Sequence, residues 1–182
     1  RHGARVRRPR VLRKRALLVH LIRSRGMRQV LIFVRMKRDA NRLARQLVQD
    51  GVNAKEIHSD RTQAERMQAL EEFKQGKVPV LVATDIAARG IDIEELPFVI
   101  NYELPHTPED YVHRIGRTGR AGLAGEAISL VSPEEIKYLE DIERMLKRKL
   151  PRASTPDTPA EDRPPHRPRE VKHERGEERH RH

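Results

Sequence analysis

KVPVLVATDIAARGID (77–92) is the stretch on which the fold turns. Val78–Thr84 is β-branched and apolar over a length too short for a buried helix, with Pro79 tolerable only at its start, so it reads as a strand covered on both faces. It ends at Thr84-Asp85, where a hydroxyl, a carboxylate, Arg89, Gly90 and Asp92 crowd into nine residues. In open α/β sheets ligands bind outside the carboxyl ends of the strands, so this turn is the first candidate site. A plainer role is equally written there: Thr84 or Asp85 capping a short helix from Ile86 to Ala88.

Working outward, Gln29–Val34 (QVLIFV), Ala54–His58, Phe98–Tyr102 and Glu126–Val131 read as further strands. Between them lie helical patterns. Val11–Arg25 is closed by Gly26. Ala40, Leu43, Ala44, Leu47 and Val48 fall on one face of a helix ended by Gly51. Thr62-x-x-Glu65 has the spacing of a capping box ahead of a helix ended by Gly76. Pro108 suits the first turn of a helix to about Arg117, and Pro133 opens another holding Ile136, Leu139, Ile142, Met145 and Leu146. Strands alternating with helices predict an open, mostly parallel α/β sheet with helices on both faces, of about five strands over residues 11–150. Residues 1–10, with five Arg and no periodicity, read as a basic flexible arm. Residues 151–182 hold six Pro and one large aliphatic residue, Val171, and read as a disordered Pro/Arg/Glu/His-rich tail. Its His180 and His182 make no dedicated metal site.

Composition narrows the function. The 182 residues contain no Cys, which excludes disulfides and thiolate metal sites, and no residue is assigned to a metal. No apolar run is long enough to span a bilayer and no signal peptide is visible, so a soluble, cytoplasmic protein without a membrane partner is expected. The opening Arg1 suggests a piece of something longer. The formal charge of +11 is uneven: residues 1–50 carry 16 cationic and 2 anionic side chains, whereas residues 51–150 carry 14 and 18. A cationic first third points to a polyanion such as nucleic acid.

HRIGRTGR (113–120) is the second candidate. At about 100° per residue, with Tyr111 at zero, Val112 and Ile115 define a packed face, while His113, Arg114 and Arg117 lie on the other side. Gly116 and Gly119 leave room for close backbone approach, and Arg120 follows. Three guanidinium groups so placed suit a phosphoryl transition state, although an exposed Arg-rich helix end has the same pattern. The third candidate, Gln63-x-x-Arg66, sits on the first turn of a helix, where phosphate is attracted.

In this order and spacing, HRIGRTGR (113–120), ATDIAARGID (83–92) and QAER (63–66), with VLIFVRMKRDANRLARQL (30–47), resemble the C-terminal RecA-like lobe of DEAD-box ATP-dependent RNA helicases. The wording of residues 57–122 looks most like the bacterial RhlE-type branch. The resemblance implies Arg117 and Arg120 as arginine fingers reaching the ATP γ-phosphate across a cleft between two lobes. It implies His113, Arg114, Gly116 and Gly119 in coupling ATP to RNA, and Asp92 on the ATP ribose. Arg66, Thr84, Gly90 and Gln63 would hold the RNA backbone without reading sequence, with Asp85 and Arg89 organising the loop. The implied partners are RNA and a DEAD-containing N-terminal lobe. ATP with Mg2+ would be held mainly by that other lobe.

Departures accompany the match. Ser59 stands where the family usually has Gly, and Arg35-Met36-Lys37 replaces a Thr-containing stretch. The 182 residues contain no Gly-x4-Gly-Lys-Ser/Thr: Glu71 stands where the first Gly before Gly76-Lys77 should be, and Val78 follows the Lys. They contain no DEAD tetrapeptide, and Glu140-Asp141 falls in a helical pattern. The chain alone is therefore expected to be inactive as an ATPase. Two rival readings are a non-enzymatic RNA-binding module, which predicts nucleotide-independent RNA binding, and a DNA-acting superfamily 2 helicase lobe, which a DNA/RNA competition would reveal.

Overall fold

The computed structural model describes residues 3–7, 13–118 and 125–153. In chain order these form β1 (Gly3–Arg7), α1 (Lys14–Ser24), β2 (Val30–Phe33), α2 (Lys37–Gln49), β3 (Ala54–Ile57), α3 (Gln63–Lys74), β4 (Val80–Ala83), the single turn α4 (Asp85–Ala88), β5 (Phe98–Asn101), α5 (Pro108–Ile115), β6 (Glu126–Leu130) and α6 (Ile136–Leu146). The six strands make one sheet in the order β1-β6-β5-β2-β4-β3. Every pairing is parallel.

Alternation along the strands divides the core. Val30, Ile32, Val80, Val82 and Ile100 face α1 and α2. Leu31, Phe33, Leu81, Ala83 and Val99 face α3 and α4. β2 and β4, covered on both sides, are fully buried, which is why they carry no polar residue. A third cluster joins Ala4 and Val6 of β1 to Tyr111, Leu139 and Ile142 of α5 and α6.

Local chemistry sets the helix starts. Thr62 Oγ1 accepts the Glu65 amide at 3.1 Å, as the capping spacing predicts. Pro108 occupies the first turn of α5, with Glu109 and Asp110 beside its positive end and His113 and Arg114 in its last turn. Ser132 and Glu135 form a reciprocal capping box over a 3-10 turn that runs into α6.

Two expectations need correction. Residues 3–7 of the basic arm form the edge strand β1, because Ala4 and Val6, 4% and 1% exposed, alternate with arginines that face away from the core. Counting charge without its period-2 alternation hides this strand. Residues 151–153, placed in the tail, also belong to the fold: Val6 N donates to Pro151 O and Ala153 N to Val6 O, both at 2.8 Å. Arg152 pairs there with Glu143 at 2.9 Å. The remainder of the tail, 154–182, lies outside the described residues, as do Gly119 and Arg120.

Candidate functional site

Strand register aligns one row across the sheet: Ile57, Ala83, Phe33, Asn101, Ser129 and Val6 are successive neighbours from β3 to β1. The loops that leave this row carry 58–62, 84–90 and 102–107 onto one edge, the carboxyl edge where α/β sheets bind ligands. The register thereby sets the end of β3, whose loop leads to Gln63, beside the end of β4, which leads to Thr84, although the two residues lie 21 positions apart in sequence.

Arg114 is the centre of this edge and differs most from expectation. It is 1% exposed, not presented to solvent. Its Nε and Nη2 donate to Asp85 Oδ1 and Oδ2 at 2.7 and 2.8 Å. Its Nη1 donates to Asn101 Oδ1 at 3.2 Å and to the Glu103 carbonyl at 2.6 Å. Asn101 in turn donates to Ser129 Oγ at 3.0 Å, and the guanidinium lies over the Phe33 ring, 5.0 Å from its centroid. The buried arc of α5 is centred near Tyr111, with Arg114, Ile115 and Thr118 on its flanks, while Val112 is 40% exposed. Setting the packed face by Val112 rotates the wheel the wrong way. A bidentate, fully engaged Arg at this depth is a positioning group, fixing the 84–93 loop to α5.

Arg117 sits one turn on and is half-buried. Its Nη2 donates to Ala88 O at 2.8 Å, and its Nη1 to Ile91 O at 2.9 Å and Ile93 O at 3.3 Å. Those last two carbonyls flank Asp92, which is exposed, so the candidate finger and the candidate ribose ligand share one short loop. Arg89 ties the same loop to α5 through Asp110 at 2.7 Å. Gly90 has φ +78° with no heavy atom within 4 Å of where a Cβ would stand, so the turn there needs glycine for its backbone. At Gly116 the close approach is to its own helix, since a Cβ would lie 3.3 Å from the Val112 carbonyl. His113 is exposed on the outer side of α5.

At the neighbouring strand end, Arg66 Nη2 donates to Gln63 Oε1 at 2.8 Å. Arg66 Nε is buried without a hydrogen-bond partner, while the side chain as a whole is half-buried. Thr84 is at the N-cap position of α4 with an extended backbone, yet its hydroxyl makes no capping bond. Asp85 is spent on Arg114, so neither side chain is absorbed by the plain capping role. Ser59 is exposed and has no positive φ, so serine fits this turn without strain.

Several residues that hold the site are hard to see in sequence. His58, 3% exposed, meets Asn41 Oδ1 at 2.9 Å through Nε2 and receives the Asp60 amide at 3.2 Å through Nδ1. Lys37 joins the start of α2 to Asp60 at 3.0 Å. A second buried cluster lies between α1 and the capping turn before α6. Lys14 pairs with Glu135, which also accepts the Leu104 amide at 2.8 Å. Burial alone raises the Glu135 carboxyl, but the Lys14 charge, its hydrogen bond and the Leu104 and Ser132 amides outweigh it, and the net direction is below 4.5. Burial pushes the Tyr102 and Tyr111 hydroxyls up to about 12, so both stay neutral. The groove here, about 720 Å³, is lined by Lys14, Arg15 and Arg35, each paired with a carboxylate, and at its rim by Arg42, which reaches Asp39 only at 3.9 Å. Among the described residues no group of His, Asp and Glu side chains is arranged to hold a metal ion, and no helix is long and apolar enough to cross a membrane.

A parallel RecA-like sheet with an arginine-bearing helix clamped to the loop after β4 is the architecture of a helicase lobe. Residues 13–122 match the helicase conserved C-terminal domain, and the chain belongs to that family. Among curated relatives it is 46% identical over 145 residues to the ATP-dependent RNA helicase RhlB of Pseudomonas syringae pv. tomato, covering 80% of this chain and 36% of that protein. The chain thus spans about a third of that relative's length. The E. coli DEAD-box protein SrmB, solved bound to regulator of ribonuclease activity A, superposes with TM-score 0.78 at 37% identity, covering 84% of this chain and 89% of that one. S. cerevisiae Dbp5 bound to RNA and ADP BeF3 gives TM-score 0.77 at 32% identity, covering 86% and 42%. The chain is therefore homologous to the C-terminal lobe of DEAD-box ATP-dependent RNA helicases.

Proposed function

We propose that this lobe acts as the second half of a cytoplasmic ATP-dependent RNA helicase, binding RNA backbone at the carboxyl edge and completing ATP hydrolysis across a cleft. One observation carries the reading: Arg114 and Arg117, three residues apart on HRIGR, grip the 84–93 loop at Asp85, Ala88, Ile91 and Ile93. The group assigned to the nucleotide and the loop assigned to RNA are thereby one rigid unit. Movement at either end is transmitted to the other.

Within that unit, Thr84, Gly90, Gln63 and Arg66 face the RNA phosphates, and the Arg66 guanidinium, oriented by Gln63, supplies a charge-assisted hydrogen bond. No base edge is read, so binding is insensitive to sequence and steep in salt. Asp92 accepts the ATP ribose hydroxyls. Arg117, with Arg120 as its companion, exchanges loop carbonyls for γ-phosphate oxygens, where a planar, permanently charged guanidinium stabilises charge developing in the transition state. His113 and Arg114 keep the helix seated while this happens, and Arg89 with Asp85 keeps the loop in shape. Mg2+ enters with ATP and is held mainly by the DEAD-containing lobe.

The test joins this chain to a DEAD-containing first lobe and measures RNA-stimulated ATP hydrolysis and separation of a short RNA duplex. Activity in the joined protein and none in the chain alone is the expected result. A folded joined protein that binds RNA without hydrolysing ATP would turn the reading toward a non-enzymatic RNA-binding module. Stimulation by DNA in preference to RNA would move it to a DNA-acting lobe.

A further inference from the structure

We infer that the solvent-facing crest of α2 is a second RNA-backbone surface, outside the carboxyl-edge loops, formed by Arg38, Arg42 and Arg45. The inference rests on the reading of this lobe as RNA-binding and extends it to the strand flanking the bound segment. At about 100° per residue the three arginines fall within an arc of about 60°, spread over about 10.5 Å of helix. All three are exposed, while Ala40, Leu43, Ala44 and Leu47 on the opposite side are buried under the sheet.

Their charge is uncommitted. Among the described residues Arg38 and Arg45 have no carboxylate partner, and Arg42 reaches Asp39 only at 3.9 Å with its side chain 64% exposed. The cations of α1 and of its C-cap, by contrast, are engaged: Lys14 with Glu135, Arg15 with Asp50, Arg23 with the Asp50 carbonyl, and the capping Arg25 with Glu126. The crest is also continuous with the first site. α2 starts where β2 leaves the carboxyl edge, and Lys37, one residue before the stripe, is paired to Asp60 in the loop ahead of Gln63 and Arg66. From there the helix runs back toward the opposite edge, giving a strand that leaves the loops a cationic path down the outside of the lobe.

RNA fits this surface better than a protein does. Protein interfaces rest on a buried apolar or aromatic centre, and the arginine stripe has none: the exposed apolar side chains nearby, Met36 and Val48, stand singly at the two ends of α2. A phosphate backbone needs no such anchor, only charges spaced along its path.

The experiment measures binding of this chain to two labelled oligouridines, about six and about twenty nucleotides long, across a salt series. It compares the unchanged chain with the triple variant Arg38→Gln/Arg42→Gln/Arg45→Gln and the charge-keeping variant Arg38→Lys/Arg42→Lys/Arg45→Lys. Thermal unfolding confirms that each is folded, the substitutions being exposed and helix-compatible. The longer RNA is expected to lose affinity on the order of tenfold at low salt in the Gln variant, and its salt slope to fall by about 2, with the short RNA unchanged and the Lys variant close to normal. Equal binding of the longer RNA by the unchanged and Gln chains overturns the crest and leaves the carboxyl-edge site standing. Binding of neither RNA by the folded, unchanged chain overturns both. Polyglutamate binding that depends on the stripe, when long-RNA binding does not, assigns the crest to an acidic protein instead.

Discussion

Removing Asp85 is the perturbation that probes the coupling unit most severely. Asp85→Ala takes both acceptors from Arg114 Nε and Nη2 and leaves a guanidinium 1% exposed with only Asn101 and the Glu103 carbonyl. Orphaning one member of a buried ion pair costs about 3–5 kcal/mol. Because the Asp85 side chain is 22% exposed, water reaches part of the vacated space, which places the expectation near the lower end, about 3 kcal/mol. For a domain of this size that corresponds to a fall in Tm of roughly 6–12 °C. Arg114→Met, which removes the buried charge and keeps the stem over Phe33, should cost less. In the double variant the two losses should fail to add, with a coupling of about 2 kcal/mol. Circular dichroism during urea and thermal unfolding of all four chains measures the cycle. A loss below about 1 kcal/mol for Asp85→Ala, or strict additivity, would refute the view of this pair as the buried link between loop and helix.

Other outcomes follow from the same structure. Glu135 and Glu143 are both held below the ordinary 4.5. For Glu143 the Arg152 hydrogen bond, the Leu150 amide and the Arg152 charge overcome the upward push of burial. A depressed folded-state value means the stabilisation is present above the unfolded-state value and is lost as pH falls through the folded one. Urea midpoints should therefore decline as pH drops below about 4.5, and Glu135→Gln should be less stable at neutral pH with a shallower acid decline. Gly90→Ala forces a side chain to φ +78° in open space, so it should cost about 1–2 kcal/mol by denaturation and weaken RNA binding. Thr62→Ala removes the α3 cap and should cost about 1 kcal/mol, read from urea unfolding. Deleting residues 1–7 should lower the urea midpoint as well as RNA affinity, since loss of buried Val6 alone is worth about 1.5–3 kcal/mol. An unchanged midpoint with a flatter salt slope would restore the reading of that segment as a purely electrostatic arm.

Five of the six strands and the helices around them were legible because they obey single periods: VLIF and VLVA are continuous apolar runs, and α2 keeps its apolar residues on one face. β1 was not, because GARVR offers only two apolar residues among arginines and its partner, β6, is more than a hundred positions away. The arrangement of the candidate site was partly legible. ATDIAARGID and HRIGRTGR announce a loop and a helix, but not that Arg114 turns inward to Asp85 or that Arg117 closes on three carbonyls. Those contacts depend on which side of an eight-residue helix is buried, and the flanking elements decide that. Asn101 and Ser129 were invisible for the same reason: each ends or interrupts an apolar strand pattern and acquires meaning only when the register sets them side by side beneath Arg114.

The most direct measurement is single-turnover ATP hydrolysis by the joined two-lobed protein, unchanged and as Arg117→Ala, at saturating RNA and ATP, with RNA and nucleotide affinities determined alongside. A finger acting on the transition state predicts a fall in the hydrolysis rate of about 10³-fold or more while both affinities change little. A hydrolysis rate within a few-fold of the unchanged protein, or a loss accounted for entirely by weaker RNA or ATP binding, would contradict it and leave Arg117 as a brace for the 88–93 loop.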